Sequence, residues 1–158
     1  MSDAFLVSLA GPDPTLRTVT VCAATWVSAC VDRACGLIPD LVTLPLLISG
    51  LVLVPDLDPA RGAITLAGAL VGLATSLAVH FLGQRRFGWG DVKLITAIGA
   101  WVGPVWIAEI FLEASALMAA LFIFRRSLIR APFAPALAAT LLFTVVRNTI
   151  INNGGAQI

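Results

Sequence analysis

From residue 62 to residue 83 the chain reads "GAITLAGALVGLATSLAVHFLG", without one Asp, Glu, Lys or Arg. A helix needs about twenty consecutive apolar residues to cross the hydrocarbon core of a bilayer. This run has that length, and its only ionisable side chain is His80. Comparable runs lie on both sides of it: 16–31, a segment from 41 that stops at "PDLDPARG", 92–103, 105–124, and a last one from about 132. Charges cluster in the stretches between them. Only 12% of the residues are charged and 59% are hydrophobic, with a mean hydropathy of +0.97. A soluble domain carries about twice that charge. The expected fold is therefore all-α: a single polytopic membrane domain over 1–158 with about six transmembrane helices, in contact with the lipid bilayer. Residues 1–15 form a short extracytoplasmic segment in this reading.

The run at 92–103 is short, and joining it to the next would give a helix of about 50 Å at 1.5 Å per residue, far longer than a bilayer core. A tight hairpin at "GAWVGP" is the better expectation. Charge agrees with it. With six spans, the loops after the first, third and fifth hold Arg33, Arg85, Arg86, Lys93, Arg125, Arg126 and Arg130, seven of the ten basic residues. The other side holds Arg17, Arg61 and Arg147, which is three. Positive charge favours the cytoplasmic side, so both termini are expected outside. The basic loop "FRRSLIR" then fixes topology and meets anionic lipid.

Several classes are set aside. A net charge of +1 with no basic stripe gives no sign of nucleic acid. The N-terminal "MSDAFLVSLAGPDPTLR" lacks the basic region of a signal peptide. Cys22, Cys30 and Cys35 make no CxxC pair, and with one His in the chain no zinc or other metal site is expected. Cys22 and Cys30 read as small apolar fillers.

The polar residues that remain converge on one level. Asp32 closes the first span, and Asp91, in "FGWGDVKLITAIGAWVG", opens the fourth. On the six-span topology both lie at the cytoplasmic rim. Two carboxylates in a partly desolvated place tend to share a proton. One can then activate a water while the other polarises a carbonyl. Gly88 and Gly90 flank Trp89 and offer close backbone approach and unusual dihedrals beside Asp91. The plainer alternative is that Asp91 only caps its helix and Asp32 only marks a boundary.

"GWGDVKL" followed by "ITAIGAWVG" resembles the GxGD motif of the type IV prepilin peptidases, and "DRACGLIPDLVTLPLLISGL" resembles the other half of that family's pattern. In the second stretch Asp32 stands seven residues before Pro39 of the Ile38-Pro39 pair. "APFAPALAATLLF" is similar to the start of the family's last helix. The resemblance implies an aspartic endopeptidase of the bacterial inner membrane, without cofactor, cutting the leader from prepilin-like proteins of pili or secretion systems at the cytoplasmic face. It implies Asp32 and Asp91 as the catalytic pair, with Gly88, Gly90, Lys93, Ile38 and Pro39 as motif positions. The cysteine-rich insertion of the family's long members has no counterpart, so the likeness is to the short, peptidase-only branch found with Flp pili and in archaea. N-methyltransferase activity is not expected.

Other residues have quieter expectations. Asp40 reads as a loop or capping residue, Lys93 as a snorkelling anchor, and Gly36 as room for a turn. His80 reads as a boundary residue reaching water. Glu109 and Glu113 share a helix face and read as a protonated pair bridging helices, with Arg147 snorkelling. A small transporter using these carboxylates is the alternative function; a metal-dependent lipid phosphotransferase and an inactive assembly scaffold are more distant ones. The oligomeric state has no signal in the sequence.

Overall fold

The computed structural model describes residues 14–57, 61–82, 88–124 and 133–155. The residues before Pro14, the arginines of "QRRFG" and "FRRSLIR", and Pro132 lie outside the described residues. Those described form six α-helices with no strand among them: α1 (Pro14–Cys35), α2 (Asp40–Leu57), α3 (Gly62–Leu82), α4 (Trp89–Val102), α5 (Pro104–Phe124) and α6 (Ala134–Gly155). Each helix falls on one of the six apolar runs.

Polarity is distributed as in a membrane protein, with leucine outside and hydroxyls inside. Leu41, Leu82 and Leu112 are among the most exposed side chains, whereas Thr25, Ser76, Thr96 and Thr140 are buried. Exposed apolar side chains in such number are a liability in water and the natural face towards lipid. The buried hydroxyls donate to carbonyls four residues back: Thr25 to Val21 (2.7 Å), Ser76 to Gly72 (2.6 Å), Thr96 to Val92 (2.8 Å) and Thr140 to Ala136 (3.1 Å). Each is thereby satisfied within its own helix. Among the described residues, α3 and the Pro104–Leu121 part of α5 are long and apolar enough to cross a membrane, and Asp40–Val54 and Ala134–Arg147 are shorter apolar helices.

The shortest helix is the most deeply enclosed. α4 has 14 residues, which at 1.5 Å per residue is about 21 Å, less than the roughly 30 Å of a bilayer core. Leu94, Ile95, Ala97 and Ile98 are all 0% exposed. α3 packs antiparallel against it through glycine. A Cβ on Gly68 would overlap the Gly99 carbonyl oxygen, one on Gly99 would overlap that of Gly68, and one on Gly72 would lie 2.8 Å from the Ile95 oxygen. Small residues four apart let the two backbones touch, the usual basis of tight helix contact in lipid. On its other side α4 meets α2, where the Trp101 ring lies on Gly50 and its Nε1–H donates to the Leu46 carbonyl at 2.8 Å.

The expected hairpin at "GAWVGP" is a joint of a single residue. Gly103 has φ 85° and ψ 173°, a region essentially reserved for glycine. Its N–H donates to the Gly99 carbonyl (2.9 Å) and its own carbonyl accepts from Ile107 N–H (3.1 Å), so it ends α4 and begins α5. Pro104 follows at the first helical position, where a missing N–H costs nothing. Gly103 is buried, so the break is covered by protein.

α5 and α6 are tied by charge. Arg147 Nη2 lies 2.7 Å from Glu109 Oε1, Arg147 Nη1 lies 3.1 Å from Glu113 Oε1, and the Thr144 hydroxyl donates to Glu113 Oε2 at 3.2 Å. The two glutamates do bridge helices as expected. The bridge runs through Arg147, which pairs with both.

Candidate active site

Asp32 sits in the last turn of α1, and the end of that helix holds it. Gly36 adopts φ 66°, and its N–H donates to the Asp32 carbonyl at 2.7 Å, the single bond of a left-handed helix cap. The Asp32 carboxylate hydrogen-bonds the backbone of Ala134, the first residue of α6. Helix N-termini carry amides with no partner in their own helix, so α6 supplies a fixed donor from across the bundle. Nothing in the spacing of the motifs points to that donor.

Asp91 sits in the first turn of α4, whose N-cap is Gly88. Its carboxylate hydrogen-bonds the Gly88 backbone, the reach-back half of a capping box. Asp91 is thus a helix cap, as the plainer alternative holds, but capping engages only one of its oxygens. Asp91 Oδ1 and Asp32 Oδ2 are both buried without a hydrogen-bond partner. An ordinary interfacial cap would turn its second oxygen to water. The two carboxylates lie within direct electrostatic reach of each other, although they come from helices distant in sequence. Desolvated polar oxygens of this kind are costly unless something later bonds them.

The two motif halves are clasped together beside the pair. A Cβ on Gly90 would lie 2.8 Å from Ile38 Cβ, so Ile38 is seated on bare backbone one residue before Asp91. Pro39 immediately precedes α2, its carbonyl accepting from Val42 N–H (3.1 Å) and Thr43 N–H (3.4 Å). Lys93 Nζ then donates to both oxygens of Asp40, at 2.7 and 2.8 Å. This ion pair replaces the expected free anchor and free cap. Both partners are about half exposed, so the pair orients the helices more than it stabilises them. Opposite charges near the starts of the two motif helices, Asp40 in α2 and Lys93 in α4, were its only trace in the sequence.

Three other expectations change. Gly88 has φ −69° and ψ 143°, open to any residue, and Gly90 is helical. Positive φ among the described glycines occurs at Gly36 and Gly103. The glycines beside Asp91 therefore serve close approach, not unusual dihedrals: a Cβ on Gly88 would come 3.1 Å from Asp91 Oδ2. His80 does not reach water; it is 3% exposed, with its ring 4.7 Å from that of Trp89 and 5.4 Å from that of Phe81. The antiparallel α3 carries it under Trp89. Of the cysteines, Cys22 is half-buried against the core, while Cys30 is exposed and not a filler.

The C-terminal end of α1, the starts of α2, α4 and α6, and the end of α3 thus meet at one end of the bundle. The chain matches the model of the type IV leader peptidase family over residues 19–123, which include both aspartates. It is 38% identical over 121 residues to a prepilin leader peptidase/N-methyltransferase of Xanthomonas campestris, covering 68% of this chain and 42% of that protein. It is 30% identical over 107 residues to a protein of the same name from Klebsiella pneumoniae, covering 65% and 47%. It is 42% identical over 76 residues to leader peptidase HopD of Escherichia coli, covering 44% and 48%. The chain spans less than half the length of these relatives. No solved structure gives a significant match. The family match covers most of the chain and both halves of the clasped site, and the chain belongs to the type IV leader peptidase family.

Proposed function

We propose that this chain is a membrane-embedded aspartic endopeptidase that removes the leader peptide from prepilin-like proteins at the cytoplasmic face of the bacterial inner membrane. The observation that carries this reading is the meeting of Asp32 and Asp91, each with one buried, unpartnered oxygen. The ionised member takes a proton from water, whose oxygen attacks the scissile carbonyl carbon. The protonated member gives its proton to the carbonyl oxygen, leaving a neutral diol. On collapse the C–N bond breaks, the nitrogen leaves with the proton first taken from water, and a diol hydroxyl returns the other proton. A site at one end of a helical bundle suits a bond that borders a transmembrane helix.

In this reading the chain is one membrane-embedded domain with six spans and both termini outside. Its relatives' names support a prepilin as substrate. Likeness to HopD, named a leader peptidase alone, supports peptidase activity without methyl transfer. The transporter alternative loses support because Glu109 and Glu113 are already bound by Arg147.

Co-expression with a prepilin from the same genome tests the proposal. Wild type should shorten the prepilin by its leader, as read by intact mass, and Asp32→Asn and Asp91→Asn should each leave it whole. A prepilin left uncut by correctly inserted wild type, across several prepilins, would sink the peptidase reading.

A further inference from the structure

Thr43 is a buried hydroxyl that lacks the kind of partner described above for Thr25, Ser76, Thr96, Thr140 and Thr144. It is 1% exposed, yet its Oγ1 has no hydrogen-bond partner. Thr25, Ser76, Thr96 and Thr140 all donate to the carbonyl four residues back. For Thr43 that carbonyl belongs to Pro39, and it is already taken by two backbone N–H groups of the first turn of α2. A hydroxyl buried without a partner is costly, so an uncommitted one inside a packed bundle calls for an explanation.

Its place supplies one. α2 and α4 run parallel from the same end. Ile38 rests on Gly90, Asp40 binds Lys93, and Gly50 meets Ala100 and Trp101. Thr43 lies between these contacts, on the face of α2 that also buries Leu46 and Gly50. The Gly50–Ala100 contact sets Thr43 level with Lys93, two residues along α4 from Asp91, or about 3 Å at 1.5 Å per residue. The other buried side-chain oxygens without partners among the described residues are Asp32 Oδ2 and Asp91 Oδ1. All three therefore belong to the same end of the bundle.

We propose that Thr43 is a third polar member of the peptidase site, its hydroxyl donating to an oxygen of the tetrahedral adduct formed between the two aspartates. This rests on the peptidase reading above. A donor aimed at where charge and oxygen density develop acts on the chemical step rather than on substrate binding. No protein group engages the hydroxyl, which leaves it available to a partner that arrives with the peptide.

Leader removal is measured with the purified protein and a prepilin in detergent, comparing wild type with Thr43→Val and Thr43→Ser. Thr43→Val keeps the shape and removes the hydroxyl; its kcat should fall by about 100-fold with KM little changed. Thr43→Ser should recover most of that loss. Thermal unfolding of each variant is recorded alongside, and Thr43→Val should melt no lower than wild type. Wild-type kcat in Thr43→Val would overturn the proposal and leave the peptidase reading intact. So would a loss that tracks a lowered melting temperature and is not recovered by serine. A wild type that cuts no prepilin would instead remove the reading on which the proposal rests.

Discussion

Replacing Gly90 by alanine should damage catalysis far more than stability. The added Cβ would lie 2.8 Å from Ile38 Cβ and 3.3 Å from its Cγ1. Carbon atoms prefer about 3.5–4.0 Å, so Ile38 and the first turn of α4 must separate by about 1 Å. Forcing a methyl into a packed site costs about 1–3 kcal/mol. Alanine in place of a helical glycine recovers about 1 kcal/mol. The net loss of stability is then about 0–2 kcal/mol, and most of the protein stays folded. Asp91 is the next residue and moves with that turn. A displacement of about 1 Å at reacting groups costs about 100-fold in rate. The assay is the initial rate of leader removal by purified protein in detergent, with thermal unfolding recorded in the same buffer. Combining Gly90→Ala with Ile38→Gly removes the opposing Cβ and should restore part of the rate, so the two substitutions are not additive. Wild-type rate in Gly90→Ala would refute the idea that the seat of Ile38 on Gly90 holds the catalytic geometry.

Three further outcomes are expected. Gly103→Ala forces a side chain into a backbone region open to glycine and should destabilise the protein by about 1–3 kcal/mol, read as a lower melting temperature in detergent. Arg147→Met leaves Glu109 and Glu113 without their cation; it should lower the melting temperature, and adding Glu109→Gln and Glu113→Gln should recover part of the loss. The rate of leader removal should be bell-shaped in pH, because one aspartate must be ionised and the other protonated; a monotonic profile across both ionisations would contradict the shared proton.

The helices were legible because lipid imposes a simple rule: uncharged runs of about twenty residues interrupted by charge. The fourth helix was harder, since its 14 residues do not cross a bilayer alone, and its enclosure depends on glycines of α3 whose role shows only once the helices pack. The pairing of Asp32 with Asp91 was legible from topology, which sets both at one level, and from the two motifs. The clasp around them was not. Asp40 and Lys93 each have an ordinary local reading, and their ion pair exists only because α2 and α4 start side by side. His80 read as a boundary residue because hydropathy places it at a span's end; its burial comes from Trp89 folding over it. Thr43 lies inside the quoted "DLVTLPLL" stretch but was not singled out, since an isolated threonine in an apolar helix normally bonds its own backbone.

The central claim is that Asp32 and Asp91 act as one unit, and single-turnover rates of leader removal test it most directly. Asp32→Asn, Asp91→Asn and the double variant are compared with wild type in the same membranes. If the pair is one unit, each single substitution loses at least about 1,000-fold and the double variant is scarcely worse than either. Appreciable cleavage by one single variant, or losses that multiply in the double, would contradict the account.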